Sequence, residues 1–226
     1  MTREAGVARD RRGTPLRINE IFHSIQGESR HAGRPCVLVR LTACNLRCVW
    51  CDTAYAFEDG EDLAVGAVAD RVGAFGTSYV LVTGGEPLLQ AGVHDLIGEL
   101  LDRGHEIALE TGGSLDIAPV DPRVMIVLDL KAPGSGMSDR NRWENLQHLK
   151  PGDEIKFVVA DLDDYVWARD VIRARRLETI CDLLVSPVHG VLHPRRLAEW
   201  LLADRLPARL QIQLHKYIWP PDMRGV

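Results

Sequence analysis

Seven short apolar, β-branched runs punctuate the chain, at residues 36–41, 79–83, 106–110, 124–130, 154–159, 182–186 and 210–214. Between several of them apolar residues recur every three to four positions, over 63–75, 93–103, 163–175 and 194–203, the spacing of a helix with one buried face. Strand followed by helix, repeated, implies right-handed crossovers and a parallel sheet. The count is too low for an eight-unit barrel, so the expectation is an α/β fold: an open, partial (β/α)6-type barrel of parallel strands. Ligands bind at the carboxyl ends of the strands in such folds, and chemistry should collect just after each run.

At 226 residues with 46% hydrophobic and 26% charged content, the chain suits one sizeable core. A single domain over residues 16–226 is expected, preceded by a flexible polar and basic tail over 1–15 that carries Arg9, Arg11 and Arg12. A formal charge of −5 argues against nucleic acid as a partner and favours a small molecule. No stretch approaches the roughly 20 apolar residues of a membrane span, and the first residues hold no hydrophobic signal core, so no membrane association and a cytoplasmic location are expected.

Directly after the first run stand Cys44, Cys48 and Cys51, spaced Cys-x-x-x-Cys-x-x-Cys, then Asp52 and Thr53. Close cysteine spacings in a reducing compartment point to metal or redox chemistry, and an odd total of five cysteines suits a disulfide framework poorly. Iron–sulfur clusters normally take four thiolates, so a cube gripped by three leaves one iron open to a substrate or cofactor. Structural zinc needs a closed tetrahedron. Only Cys36 is near enough in sequence to complete one, and it lies inside an apolar run, where free cysteine behaves as a small hydrophobe; Cys181 is expected in the core as well.

The other strand ends carry polar residues. Thr83-Gly84-Gly85-Glu86-Pro87 lets backbone approach a ligand closely and sets proline to begin the next helical turn. Glu110-Thr111-Gly112-Gly113 repeats the arrangement, as a ligand contact or as turn chemistry. Asp129-Leu130-Lys131 places two opposite charges at the end of an apolar strand, where burying both unpaired would be costly. Lys156 and the run Ser186-Pro187-Val188-His189 share that placement, and for all of these ligand contact and local pairing stay open. Nearer the start, Gln26 and Glu28 flank Gly27 with an amide and a carboxylate, groups able to read the edge of a heterocycle.

The cysteine triplet after a strand, followed one βα unit later by the glycine pair, resembles the signature of the radical S-adenosylmethionine (SAM) enzymes. Phe22-x-Ser24-x-Gln26-Gly27-Glu28, the Arg40–Thr53 segment, Thr83-Gly84-Gly85-Glu86-Pro87 and Leu214-His215-Lys216-Tyr217, together and in order, resemble the 7-carboxy-7-deazaguanine synthases within that superfamily, from about Ile18 onward. The resemblance implies a radical SAM barrel and a carbon–nitrogen lyase of queuosine and deazapurine biosynthesis. Its reaction would be ring contraction of 6-carboxy-5,6,7,8-tetrahydropterin to 7-carboxy-7-deazaguanine with release of ammonia.

By the same resemblance Cys44, Cys48 and Cys51 hold a 4Fe-4S cluster, and Trp50, Cys51 and Asp52 lie against SAM. Gly85, Asp129, Leu130, Lys131, Ser186, Pro187, Val188 and His189 complete the cofactor site. Ile25, Gln26, Gly27, Glu28, Arg40 and Thr83 contact the pterin, with the Arg40 guanidinium suited to its carboxylate, and Thr53 ligates Mg2+. A homodimer reduced by a donor such as flavodoxin is also implied, and no classical acid–base pair is assigned.

Two positions depart from the family pattern, which reads Gln-Gly-Glu-Gly where this chain has Ser29, and Thr-Asn where it has Gly112 after Thr111. Ser29 should be tolerated unless the backbone there needs a positive φ. Two other readings stand beside this one. An activating enzyme that generates a glycyl radical on a partner protein would share the triplet but not Gln26-Gly27-Glu28 and Arg40; a zinc-binding module would recruit Cys36.

Overall fold

The computed structural model describes residues 11–226. One nine-stranded sheet runs in the order β3-β1-β2-β4-β5-β6-β7-β8-β9. Its strands are β1 (Pro15–Ile25), β2 (Pro35–Leu41), β3 (Glu61–Ala64), β4 (Tyr79–Gly84), β5 (Glu106–Thr111), β6 (Met125–Lys131), β7 (Glu154–Val159), β8 (Asp182–Pro187) and β9 (Arg209–Leu210). From β2 through β4 to β9 every neighbouring pair is parallel. β1 is antiparallel to both β2 and β3. The parallel α/β sheet expected from the alternation is therefore present, extended at one edge by a hairpin.

Four α-helices cover the outer face: α1 (Val65–Ala74), α2 (Val93–Asp102), α3 (Leu162–Arg175) and α4 (Pro194–Asp204), with a single-turn α5 (His215–Ile218) near the end. Val65, Val68, Ala69 and Val72 form the buried stripe of α1, and Val93, Leu96, Ile97 and Leu100 that of α2, at the three-to-four-residue spacing that turns one side to the sheet. The Asp161 carboxylate accepts from the Asp164 N–H to cap α3, and Pro194 opens α4. These stripes meet Val37, Val39, Leu41, Val80, Val82 and Leu109 in the main core. The crossovers into β6 and β7 hold no α-helix, only short 3-10 turns in the second of them at Pro133–Ser135, Ser138–Arg140 and Trp143–His148.

Three elements differ from expectation. β1 was not anticipated, because Arg17, Asn19, Glu20 and His23 interrupt its apolar residues; only Leu16 and Ile18 are fully buried, as befits a strand near the sheet edge. The helix expected over 63–75 begins at Val65, since Leu63 and Ala64 pair with Leu16 and Pro15 instead. The strand expected over 210–214 stops at Leu210: Gln211 N–H still donates to Val185, but Leu214 N–H has crossed to the Gly27 carbonyl.

Of the tail expected over 1–15, residues 1–10 lie outside the described residues. From Arg11 on the chain is held to the helices: Arg11 pairs with Asp102 at 3.1 Å, Arg12 with Asp70 at 3.3 Å, and Pro15 already opens β1. Among the described residues no helix is long and apolar enough to cross a membrane.

Candidate active site

A cavity of about 730 Å3 opens at the carboxyl ends of the parallel strands and takes its walls from both ends of the chain. Successive side chains of a strand alternate faces, so Leu38 and Arg40 of β2, Leu81 and Thr83 of β4, and Val127, Asp129 and Lys131 of β6 look into it. Leu130 corrects the expected cofactor contacts: the same alternation sends its side chain, fully buried, into the core under the helices. The other expected residues line the cavity: Gln26, Glu28 and Arg40 with Ile25, Gly27 and Thr83; Trp50 to Thr53; Gly85; and Ser186 to His189.

The cysteines share this wall. Cys44, Cys48 and Cys51 line the cavity, partly buried and unpaired. Their loop is pinned from several sides: Arg47 donates to the Cys44 and Leu46 carbonyls at 2.7 Å each, Val49 N–H donates to the Ser135 carbonyl at 3.0 Å, and Glu86 N–H to Ala43 at 2.8 Å. Burial raises the Cys44 and Cys48 thiols, so ionising them calls for an adjacent cation such as cluster iron. Cys36 takes no part: it is fully buried with Leu38, Tyr79, Leu81 and Ala108, its thiol pushed by burial to about 12. Cys181 packs on the edge of the main core, its thiol also at about 12.

Gly85 is required here by contact. A Cβ on it would run into the Ala43 carbonyl and the Cβ of Cys44, so the β4 loop can pass beneath the cysteine loop only as glycine. Glu86, fully buried, braces the neighbouring strand end: its carboxylate accepts from Leu88 N–H at 3.0 Å, Thr111 Oγ1 at 2.9 Å and Gly112 N–H at 2.7 Å. Position 112 thus contributes its backbone N–H.

Charge is concentrated on the floor. Lys156 Nζ lies 2.6 Å from Glu28 Oε2 and 3.8 Å from Asp129 Oδ2, and Lys131 Nζ lies 3.0 Å from the same Asp129 oxygen. Burial by itself would raise the Glu28 carboxyl, but the Lys156 ammonium overrides it and the group titrates below its usual range. Burial likewise opposes charge on Lys156, yet Glu28, Glu110 and Asp129 together hold its pKa well above normal. Glu110, whose nearest hydrogen-bond partner is the Thr83 hydroxyl at 3.4 Å, is raised by burial. Lys156 and Glu110 both line the cavity, a placement the sequence had left open.

Buried polar atoms without partners face this space. Asp129 Oδ1 and Ser186 Oγ lack a hydrogen bond, which in a folded interior marks groups waiting for a ligand or water. Arg40 Nε donates to Glu20 Oε1 at 2.7 Å, and the Tyr55 hydroxyl donates to that same oxygen at 2.8 Å. Thr53 Oγ1 is 3.8 Å from Cys51 Sγ. Opposite, Gln213 and Lys216 reach Asp52, His215 packs so closely that Gly27 has no space for a side chain, and Arg224 stacks 3.9 Å over the Tyr55 ring. Sequence reasoning missed Glu20, Tyr55 and Arg224, which no local motif singles out.

The zinc reading loses its fourth ligand with Cys36. What remains is one chamber with three thiols at its rim and an amide, carboxylates and guanidinium on its walls.

A family model for the Radical SAM superfamily matches residues 38–129. A protein of Chlorobaculum tepidum named 7-carboxy-7-deazaguanine synthase is 50% identical over 215 residues, which span 94% of this chain and 98% of that protein. One of the same name from Koribacter versatilis is 40% identical over 226 residues, spanning 93% of this chain and all of its own length (100%). Among solved structures, QueE from Escherichia coli shares the fold with a TM-score of 0.73 at 22% identity, covering 88% of this chain and 94% of that one.

Proposed function

This chain belongs to the 7-carboxy-7-deazaguanine synthases, a radical SAM family, and from that premise we propose how its own residues carry out the ring contraction of a carboxytetrahydropterin to the carboxydeazaguanine with loss of ammonia. The observation that carries the proposal is that the cysteine triplet and the Gln26-Gly27-Glu28 turn with Arg40 line one cavity of about 730 Å3. A glycyl-radical activating enzyme would have no use for that second set, and is not favoured.

Cys44, Cys48 and Cys51 would hold the 4Fe-4S cluster, and the wall of Gly85, Asp129 and Ser186 to His189 would hold SAM; the orphaned Asp129 Oδ1 and Ser186 Oγ fit an acceptor and a donor for it. When bound, cluster and SAM supply the one-electron cleavage that begins the radical chemistry. The protein's own part is recognition and exclusion of water. Glu28, kept ionised by Lys156, accepts from the N–H edge of the pterin, and the Gln26 amide, set beside the Tyr79 hydroxyl, donates to its carbonyl. Arg40, whose Nε is fixed by Glu20, presents its outer guanidinium nitrogens to the pterin carboxylate.

Thr53 would anchor Mg2+ through its hydroxyl, because this hard cation commonly uses few protein oxygens together with substrate and water. A flavodoxin-type donor, a homodimer and a cytoplasmic setting are proposed on the family's precedent; the free state of all five cysteines agrees with a reducing compartment.

Anaerobically reconstituted, reduced protein supplied with SAM, Mg2+ and 6-carboxytetrahydropterin should form the deazaguanine. An intact cluster without that product overturns the proposal. Mg2+ should stimulate the wild type, and Thr53→Ala should lose that stimulation.

A further inference from the structure

The Gln26–Glu28 turn is held by strand β7 at two points, only one of which faces the cavity. Glu154 and Lys156 stand two positions apart on β7 and so present the same face. Lys156 takes Glu28 at 2.6 Å. Glu154 takes Arg30, two residues further along the same turn: its Oε1 accepts from the Arg30 backbone N–H at 2.9 Å and from Arg30 Nε at 3.3 Å. The guanidinium then reaches across to β8, Nη2 donating to Asp182 Oδ2 at 3.1 Å and to the Asp153 carbonyl at 3.4 Å. Glu154 has no solvent exposure, and the other cation facing it, Arg209, is 3.9 Å away.

Between the two ties sits Ser29, fully buried and in the left-handed region with φ 66. An L-residue does not hold that conformation by preference, so the neighbours must impose it. Were Arg30 released from Glu154, relaxation at Ser29 would re-aim the peptide that carries Glu28 and would move its carboxylate relative to Lys156.

We infer that Arg30 and Glu154 are positioning residues for the pterin: they fix the register of Gln26 and Glu28 on β7 from outside the cavity. This rests on the pterin reading above. Neither residue lines the chamber, and Glu154 meets Val127 and Asp182, below the strand ends assigned to SAM, so their loss should separate the two ligands.

The test uses reconstituted enzyme with SAM and the oxidised, unreactive 6-carboxypterin, whose binding is followed by its fluorescence. The double variant Arg30→Gln with Glu154→Gln leaves no unpaired buried charge; Arg30→Lys keeps the charge but loses the fork that spans Glu154 and Asp182. The double variant should bind 6-carboxypterin about tenfold or more weakly, the scale of a small misplacement of recognition groups, with Arg30→Lys intermediate. Iron content and SAM affinity should stay at wild-type values in both. Unchanged pterin affinity, or pterin and SAM affinities falling together, overturns the inference. If the double variant does not fold, Arg30→Lys decides by the same two affinities. Failure of wild type itself to bind 6-carboxypterin would instead overturn the pterin reading on which the inference rests.

Discussion

Lys216 Nζ stands 2.6 Å from Asp52 Oδ2, and Gln213 Nε2 donates to the same oxygen at 3.0 Å, so α5 is tied to the residue that follows the last cysteine of the triplet. Burial alone would raise the Asp52 carboxyl, but Lys216 and Gln213 bring it from 3.8 down to about 2. A carboxyl with a depressed folded pKa stabilises the fold above its unfolded value and loses that contribution as pH falls through the folded value. Lys216→Met should therefore be less stable than wild type at neutral pH, and the deficit should shrink as pH drops from 3.8 toward about 2. Urea unfolding of both proteins across that range checks it; a deficit independent of pH would contradict the pairing.

Lys156 is the shared cation for Glu28, Glu110 and Asp129, so Lys156→Met strands buried carboxylates. Removing one partner of a buried pair costs about 3–5 kcal/mol. Adding Glu28→Gln to Lys156→Met should recover part of that loss, because the closest stranded charge is gone. Denaturant midpoints of the single and double variants give the comparison, and 6-carboxypterin affinity should remain poor in both.

Gly85→Ala places a methyl where the Ala43 carbonyl and Cys44 lie. Overpacking of this kind costs about 1–3 kcal/mol, and the cysteine loop is the element able to yield. The variant should fold, with circular dichroism close to wild type, yet retain much less iron and labile sulfide after reconstitution. Full iron loading would show that the loop does not depend on glycine at this position.

Ser29 stands where the family pattern has glycine, and its φ of 66 meets the condition under which serine is strained. The chain offsets part of that strain through the Ser29 hydroxyl, which accepts from His31 N–H at 3.0 Å. Ser29→Ala keeps the strain and loses the hydrogen bond; Ser29→Gly loses the bond but relieves the strain. Glycine should therefore be more stable than alanine here by about 1 kcal/mol, measured as a difference in unfolding free energy. Equal stabilities would mean the backbone relaxes in one of them.

The parallel sheet was legible because its strands are buried on both faces and read as unbroken apolar runs, Val37 to Val39 and Val80 to Val82 among them. The rim of the site was legible for a different reason: Cys44, Cys48, Cys51 and Gly85 are close in sequence to the strand ends that place them. The floor was not. Lys156 reads locally as one charge in an apolar strand, and its meaning lies in Glu28, 128 positions away. Leu130 was misjudged because a contiguous motif, Asp129-Leu130-Lys131, was read as one unit although strand geometry turns its middle residue outward. Strand β1 escaped notice because its pairing partners, not its own composition, make it a strand.

The ties that close the chamber join very distant parts of the chain: Glu28 to Lys156 over 128 positions, Arg30 to Asp182 over 152, Asp52 to Lys216 over 164. Loop closure of that span must precede any reward, which makes such contacts late arrivals in folding. The thiols can thus gather beside Gly85 while the floor beneath them is still unmade. Even once β7 and the final helix have docked, the cysteine loop keeps one open side, with Val49 77% exposed, so iron and sulfide have a route to the thiols in the finished fold.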